Sequence, residues 1–178
     1  QNVFATAAFK EGLFEVQDAC EAWATRQRFT LVVTDRDGNT VETSSDYSTL
    51  ESKDGQTLRF SLTQVTEGAV TSRVAGEATQ TEAGGRVVFT DPVPNGMRLA
   101  PGTLFPMIHT IRALAAARAG QRLLVAPLLD GTTADGPQDT TTVITGGWQA
   151  PAENIRFPVL APFGNARMRI AFFEPGQQ

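Results

Sequence analysis

The chain has 178 residues, 41% of them hydrophobic and 19% charged, with a net charge of −4 and a pI of about 5.0. That is enough chain for a sizeable core, and the balance is that of a folded globular protein rather than a disordered one. No basic stripe exists to match a phosphate backbone, which argues against nucleic acid as a partner, and no apolar run approaches the ~20 residues that span a bilayer, so the chain is read as not an integral membrane protein.

The acidic balance also argues weakly against docking on an anionic lipid surface. The longest apolar run, Leu123 to Leu129, is interrupted by Pro127. No signal segment and no initiator methionine are present, so Gln1 is read as a trimmed or processed start.

The first clear strand signal starts at Trp23. Trp23, Thr25, Gln27, Phe29, Leu31 and Val33 share one face, with Arg26, Arg28 and Thr30 on the other. "RDGN" at 36–39 supplies a hairpin turn. A polar strand rich in Thr and Ser follows over Thr40–Glu51, and "KDGQ" at 53–56 makes a second hairpin. Thr57–Thr66 alternates cleanly, with Leu58, Phe60 and Leu62 on one side. "EG" at 67–68 turns the chain into Ala69–Thr79, and "AGG" at 83–85 turns it into Arg86–Thr90. Sequential strands joined by such short turns pair as an antiparallel meander. The segment "DPVPNGMRLAPG" at 91–102 holds three prolines that cannot donate to a ladder, and it is expected to be a connector.

A helix is predicted over 104–120, with Thr103 as N-cap, Pro106 in the first turn and Gly120 as the stop. Leu104, Met107, Ile108, Ile111 and Leu114 form one stripe. Leu104, Ile108, Ile111 and Leu114 are expected to pack on the concave apolar face of the sheet. His109, the sole histidine, lies roughly opposite that stripe, near Phe105 and Arg112. Strands resume at Arg122–Leu129, Thr140–Gly147, Ile155–Leu160 and Ala166–Phe173, with a polar Gly/Asp loop at 129–139. The fold class is mainly β. One domain over 1–178 is expected, a curled antiparallel sheet or partly open barrel with one central α-helix.

Few residues point to chemistry. A hydrolase triad needs a histidine, so His109 is either a catalytic base or a hydrogen-bonded helix residue lining the interior; no G-x-S-x-G elbow accompanies it. One histidine and one cysteine argue against zinc, and no metal or other cofactor is expected. Asp130, Asp135 and Asp139 either form a loose calcium loop, without the usual order and closing Glu, or a solvated loop. Cys20 allows no disulfide within the chain; it is a buried small hydrophobe or has a partner outside these residues. Eleven Phe residues build the core or also wall a cavity for an apolar ligand. Phe105, His109, Arg112, Trp23 and Phe60 are the cavity candidates.

Five stretches in order, "DACEAWATRQRF" (18–29), "ESKDGQTLRF" (51–60), "RVAGEA" (73–78), "GTLFPMIHT" (102–110) and "DG" (130–131) before "TTTVITG", resemble the EipB-like periplasmic cell-envelope integrity family of alphaproteobacteria. The resemblance implies an exported, periplasmic protein with a β-spiral fold and a role in envelope stability without established catalysis. It also implies that Cys20 pairs with a second cysteine near the family's C-terminus. No residue here matches that cysteine, so either the family's C-terminal portion is absent from this chain or the disulfide is absent. The function read is a non-catalytic, monomeric envelope factor that binds an envelope protein or lipid. A carrier of lipid or lipoprotein acyl chains is the alternative, and a hydrolase using His109 the further one.

Overall fold

A computed structural model describes residues 6–146 and 168–173. It is mainly β with one helix, and it divides into two compact units. Unit 1 comprises residues 1–101 and 130–136; unit 2 comprises 102–129 and 137–178.

Unit 1 is a seven-stranded antiparallel meander: β1 (Thr6–Asp18), β2 (Ala22–Thr34), β3 (Thr40–Ser52), β4 (Thr57–Thr66), β5 (Ala69–Thr81), β6 (Gly84–Asp91) and β7 (Asn95–Leu99). Each strand pairs with its neighbours in sequence, and β1 and β7 end the sheet, which is not closed among the described residues. Five of these strands follow the alternation and turn residues read from the sequence. β1 and β7 do not. The apolar residues of β1 lose their period of two because the register shifts between Phe9 and Glu11, and a bulge of this kind flips every later side chain to the other face. β7 corrects the reading of 91–102 as a connector. Its five residues follow Pro94 and occupy an end position, where prolines beside the strand cost no ladder bond.

The register places one set of side chains on a packed face. Leu58, Phe60, Leu62, Val74, Ala78, Val87, Phe89 and Leu99 are all buried there. Gly76 lies between Phe60 and Phe89 in the same cross-strand row. A Cβ at Gly76 would lie 2.8 Å from Phe60 Cζ, so its absence lets the two rings meet edge to face, with centroids 5.6 Å apart at 67°. Towards β2 and β3 the same face turns polar. Thr25 and Thr49 share a hydrogen bond between buried hydroxyls, and Gln64 donates to Ser45 at 3.3 Å. The opposite face carries ion pairs in water: Arg26–Asp46, Arg59–Glu77 and Lys10–Glu42.

In unit 2 the helix α1 (Pro106–Arg118) accompanies a three-stranded antiparallel sheet of β8 (Leu123–Leu128), β9 (Gln138–Ile144) and β10 (Met168–Phe173), in the order β10-β9-β8. The expected strand at 155–160 lies outside the described residues. The helix begins later than predicted. Its N-cap is Phe105, which offers no side-chain acceptor, and Pro106 opens the helix where a missing N–H costs nothing. Gly120 ends it as expected. Gln121 N bonds Ala116 O at 2.9 Å and Gly120 N bonds Ala117 O at 3.1 Å, with Gly120 at φ +74, the paired closure of a Schellman stop.

The buried helix face is not the predicted stripe. His109, Ala113, Ala116 and Ala117 are buried, whereas Ile111 is 40% and Leu114 38% exposed. Leu104 is buried, but as an extended residue bridging Leu128 in parallel, before the helix starts. The physical reason is the thinness of the alanine face. Without long side chains the backbone approaches the sheet, and Ala116 and Ala117 cluster with Ile144 and Met168.

Candidate functional site

The packed face of unit 1 is where the sequence gathers chemistry. Its covering element is the loop 130–136, which the spacing of three aspartates had left open as a calcium loop or a solvated one. The loop is neither free nor wholly solvated. Gly131 and Gly136 are buried in it. The Tyr47 hydroxyl, on β3, donates a hydrogen bond to the Asp130 carbonyl oxygen. Gly131 lies on the Phe60 ring, where a Cβ would come within 2.2 Å of Cδ2. At the far end, Gly136 lies on Met97 of β7, where a Cβ would come within 2.8 Å of Sδ. Asp130 Oδ1 accepts from Thr132 N at 2.9 Å and Thr132 Oγ1 at 2.8 Å, so this carboxylate folds the loop on itself. Burial pushes the Tyr47 phenol well above its ordinary range, and the charges of Asp130 and Glu51 act the same way. The phenol therefore stays a neutral donor.

Beyond the loop, the same face is open near β1. Phe14 is 58% and Val16 47% exposed, and the register puts them opposite Gln27 and Thr25. Trp23 is half-buried in the next row, with the Lys53 ammonium 6.0 Å from its ring centre and Lys53 also paired with Asp18 at 2.7 Å. Aromatic surface therefore runs into a strip of hydroxyl and amide groups, which can take an apolar chain with a polar end. On the opposite face, a cleft of about 630 Å³ is lined by Leu13, Arg28, Thr30, Ser44, Asp46 and Val65. The Arg26 guanidinium beside Asp46 holds that carboxyl below its usual range.

Of the five cavity candidates, Trp23 and Phe60 share the packed face of unit 1, one cross-strand row apart. Phe105, His109 and Arg112 belong to unit 2. Phe105 is fully buried, Arg112 is exposed, and His109 is buried at 3% exposure. The imidazole Nε2 lies 3.5 Å from Thr140 Oγ1 and 3.3 Å from Thr142 Oγ1. The Thr140 hydroxyl gives its proton to the Ala126 carbonyl at 2.7 Å, so Nε2 is left to donate to it. Burial lowers the His109 pKa. Both threonines are fully buried.

Cys20 corrects the reading of a buried small hydrophobe. It is an exposed free thiol in the β1–β2 turn, at φ +65, with its N–H on Asp18 Oδ1 at 3.0 Å. Sequence reasoning missed Tyr47, Gly131, Phe14 and Val16. Tyr47 carried a signal: it is the only tyrosine, set in an otherwise polar strand.

These features define a mainly β protein built on an open antiparallel meander, with one face partly covered by a glycine-bearing loop. The chain belongs to the EipB-like family, whose model matches residues 11–178. It is 29% identical over 164 residues to the cell envelope integrity protein EipB of Brucella abortus, covering 90% of this chain and 58% of that protein. It is also similar to the crystal structure of a beta-barrel-like protein of a domain of unknown function from Brucella abortus, with a TM-score of 0.81 and 26% identity over 94% of this chain and 70% of that one. The chain thus spans little more than half the length of the curated relative. Among the described residues, no helix is long and apolar enough to cross a membrane.

Proposed function

We propose that this chain acts in the periplasm as a non-catalytic factor of cell-envelope integrity, binding through the packed face of its seven-stranded sheet. The observation that carries the role is the family match over residues 11–178. The placement of His109 supports the non-catalytic part: the sole imidazole is spent on two buried threonine hydroxyls. An alkaline phosphatase fusion tests the location, since that enzyme needs an oxidising compartment to fold. It should be active, and an inactive but stable fusion would contradict export. Depletion of the protein in its host should sensitise cells to detergents and cell-wall antibiotics, and unchanged sensitivity would overturn the role.

A second reading, a carrier of lipid or lipoprotein acyl chains, is favoured by one observation. Phe14 and Val16 are exposed on the same face as Trp23, where an acyl chain would cover them. Native mass spectrometry of gently purified protein should show a bound lipid that Phe14→Asp abolishes. Protein that stays lipid-free through repeated preparations would exclude the carrier and leave the structural role standing.

A further inference from the structure

The outer side of β6 and β7 differs from the ion-paired positions elsewhere on the sheet. Lys10, Arg26, Lys53 and Arg59 each meet a carboxylate at 2.7–3.0 Å. Arg86 and Arg98 instead face each other, directly opposite in the antiparallel register. Like charges in that position destabilise a strand pair, so something other than the sheet's own stability accounts for them.

Their setting is built for a ligand. Arg86 is exposed, and its guanidinium lies over Gly96, where a Cβ would come within 2.2 Å of Nη2 and 2.9 Å of Cζ. The missing side chain of Gly96 leaves room for this guanidinium on the strand next to Arg86. Both arginines line a groove of about 670 Å³ with Ala83, Gly85, Leu99, Ala100 and Pro101, and no carboxylate is among these residues.

We propose that Arg86 and Arg98 form a binding site for a phosphate monoester. Two planar guanidinium forks offer more paired donors than one carboxylate can accept, whereas a phosphate presents three oxygens and close to two negative charges. The site lies on the opposite face from the loop-covered surface and does not depend on the proposed envelope role.

The test is a titration of the full chain with inorganic phosphate, followed by the arginine Nε–H resonances in an NMR spectrum. Cosedimentation with phosphatidylcholine vesicles, with and without phosphatidic acid, runs in parallel. Saturable phosphate binding should weaken about tenfold or more in Arg86→Gln and in Arg98→Gln, as expected for losing a charge-assisted hydrogen-bonded pair. It should persist in Arg73→Gln, which removes an exposed charge outside the groove. Gly96→Val keeps the net charge but unseats Arg86, and should weaken binding similarly while its melting curve confirms a folded sheet. Vesicle binding that depends on phosphatidic acid and on both arginines assigns a lipid headgroup. Phosphate binding without vesicle binding assigns a soluble ester. Either result upholds the site. No saturable phosphate binding, an equal loss in Arg73→Gln, or acetate binding as tight as phosphate would overturn it.

Discussion

Gly131→Ala tests the contact between the loop and the sheet. Gly131 sits at φ +73, and the added methyl would lie 2.2 to 2.8 Å from three atoms of the Phe60 ring. Two costs combine. The left-handed backbone costs an L-residue about 1–2 kcal/mol. Forcing a methyl into a packed site costs about 1–3 kcal/mol, because Phe60 is buried against Phe89 and cannot step aside. The sum is about 2–5 kcal/mol, or a fall in Tm of roughly 5–15 °C for a chain of this size. Gly38→Ala is the matched control. Gly38 has φ +81 but nothing within 4 Å of where a Cβ would sit, so it carries the backbone cost alone. Thermal unfolding followed by circular dichroism should therefore rank Gly131→Ala well below Gly38→Ala. Equal melting temperatures would refute the claim that the loop is seated on Phe60.

Three further outcomes follow from burial and charge. Phe89→Ala, at a site 1% exposed, should cost about 3–5 kcal/mol in chemical denaturation, since it leaves a cavity beside Phe60. Ile111→Asp should change stability by about 0.5 kcal/mol or less, because that side chain is 40% exposed; a loss of several kcal/mol would restore the stripe predicted from sequence. The lowered pKa of His109 fixes the sign of a pH effect. Above the ordinary value of 6.5 neither state holds the proton and the stability is complete. As pH falls through 6.5 the unfolded chain is protonated first, so Tm should drop between pH 7 and 5.5. The hydrogen-bonded carboxylates Asp18, Asp35, Asp46 and Asp54 have lowered pKa values and lose their contribution only below that window. His109→Gln should flatten the drop, and an unchanged slope would assign it to other groups.

Strand positions were legible where a Gly-bearing turn and a period of two coincide. "RDGN", "KDGQ" and "EG" end and start strands within a residue or two of their predicted places, and Thr57–Thr66 matches throughout. β1 was illegible because the register shift between Phe9 and Glu11 breaks its period of two, and because apolar residues then fall on both faces, Leu13 on one and Phe14 on the other. β7 was hidden by the prolines that flank it, Pro92, Pro94 and Pro101. The helix was found, but its buried side was misread, since hydrophobic size favours Ile111 and Leu114 while close packing favours alanine. The family resemblance rested on motifs scattered over both units, and the match over residues 11–178 agrees with it. The loop clasp had no sequence signal beyond "DG" at 130–131. It joins residues 83 positions apart, which no local pattern encodes.

The most direct measurement compares chromosomal variants in the host under detergent stress. The central claim is that the protein works by binding at an exposed sheet face rather than through its imidazole. Phe14→Asp and Trp23→Ala should each reproduce the sensitivity of the depleted strain while the protein remains folded and abundant, and His109→Gln should behave as wild type at neutral pH. Full resistance in both face variants, with sensitivity in a folded His109→Gln, would contradict the account.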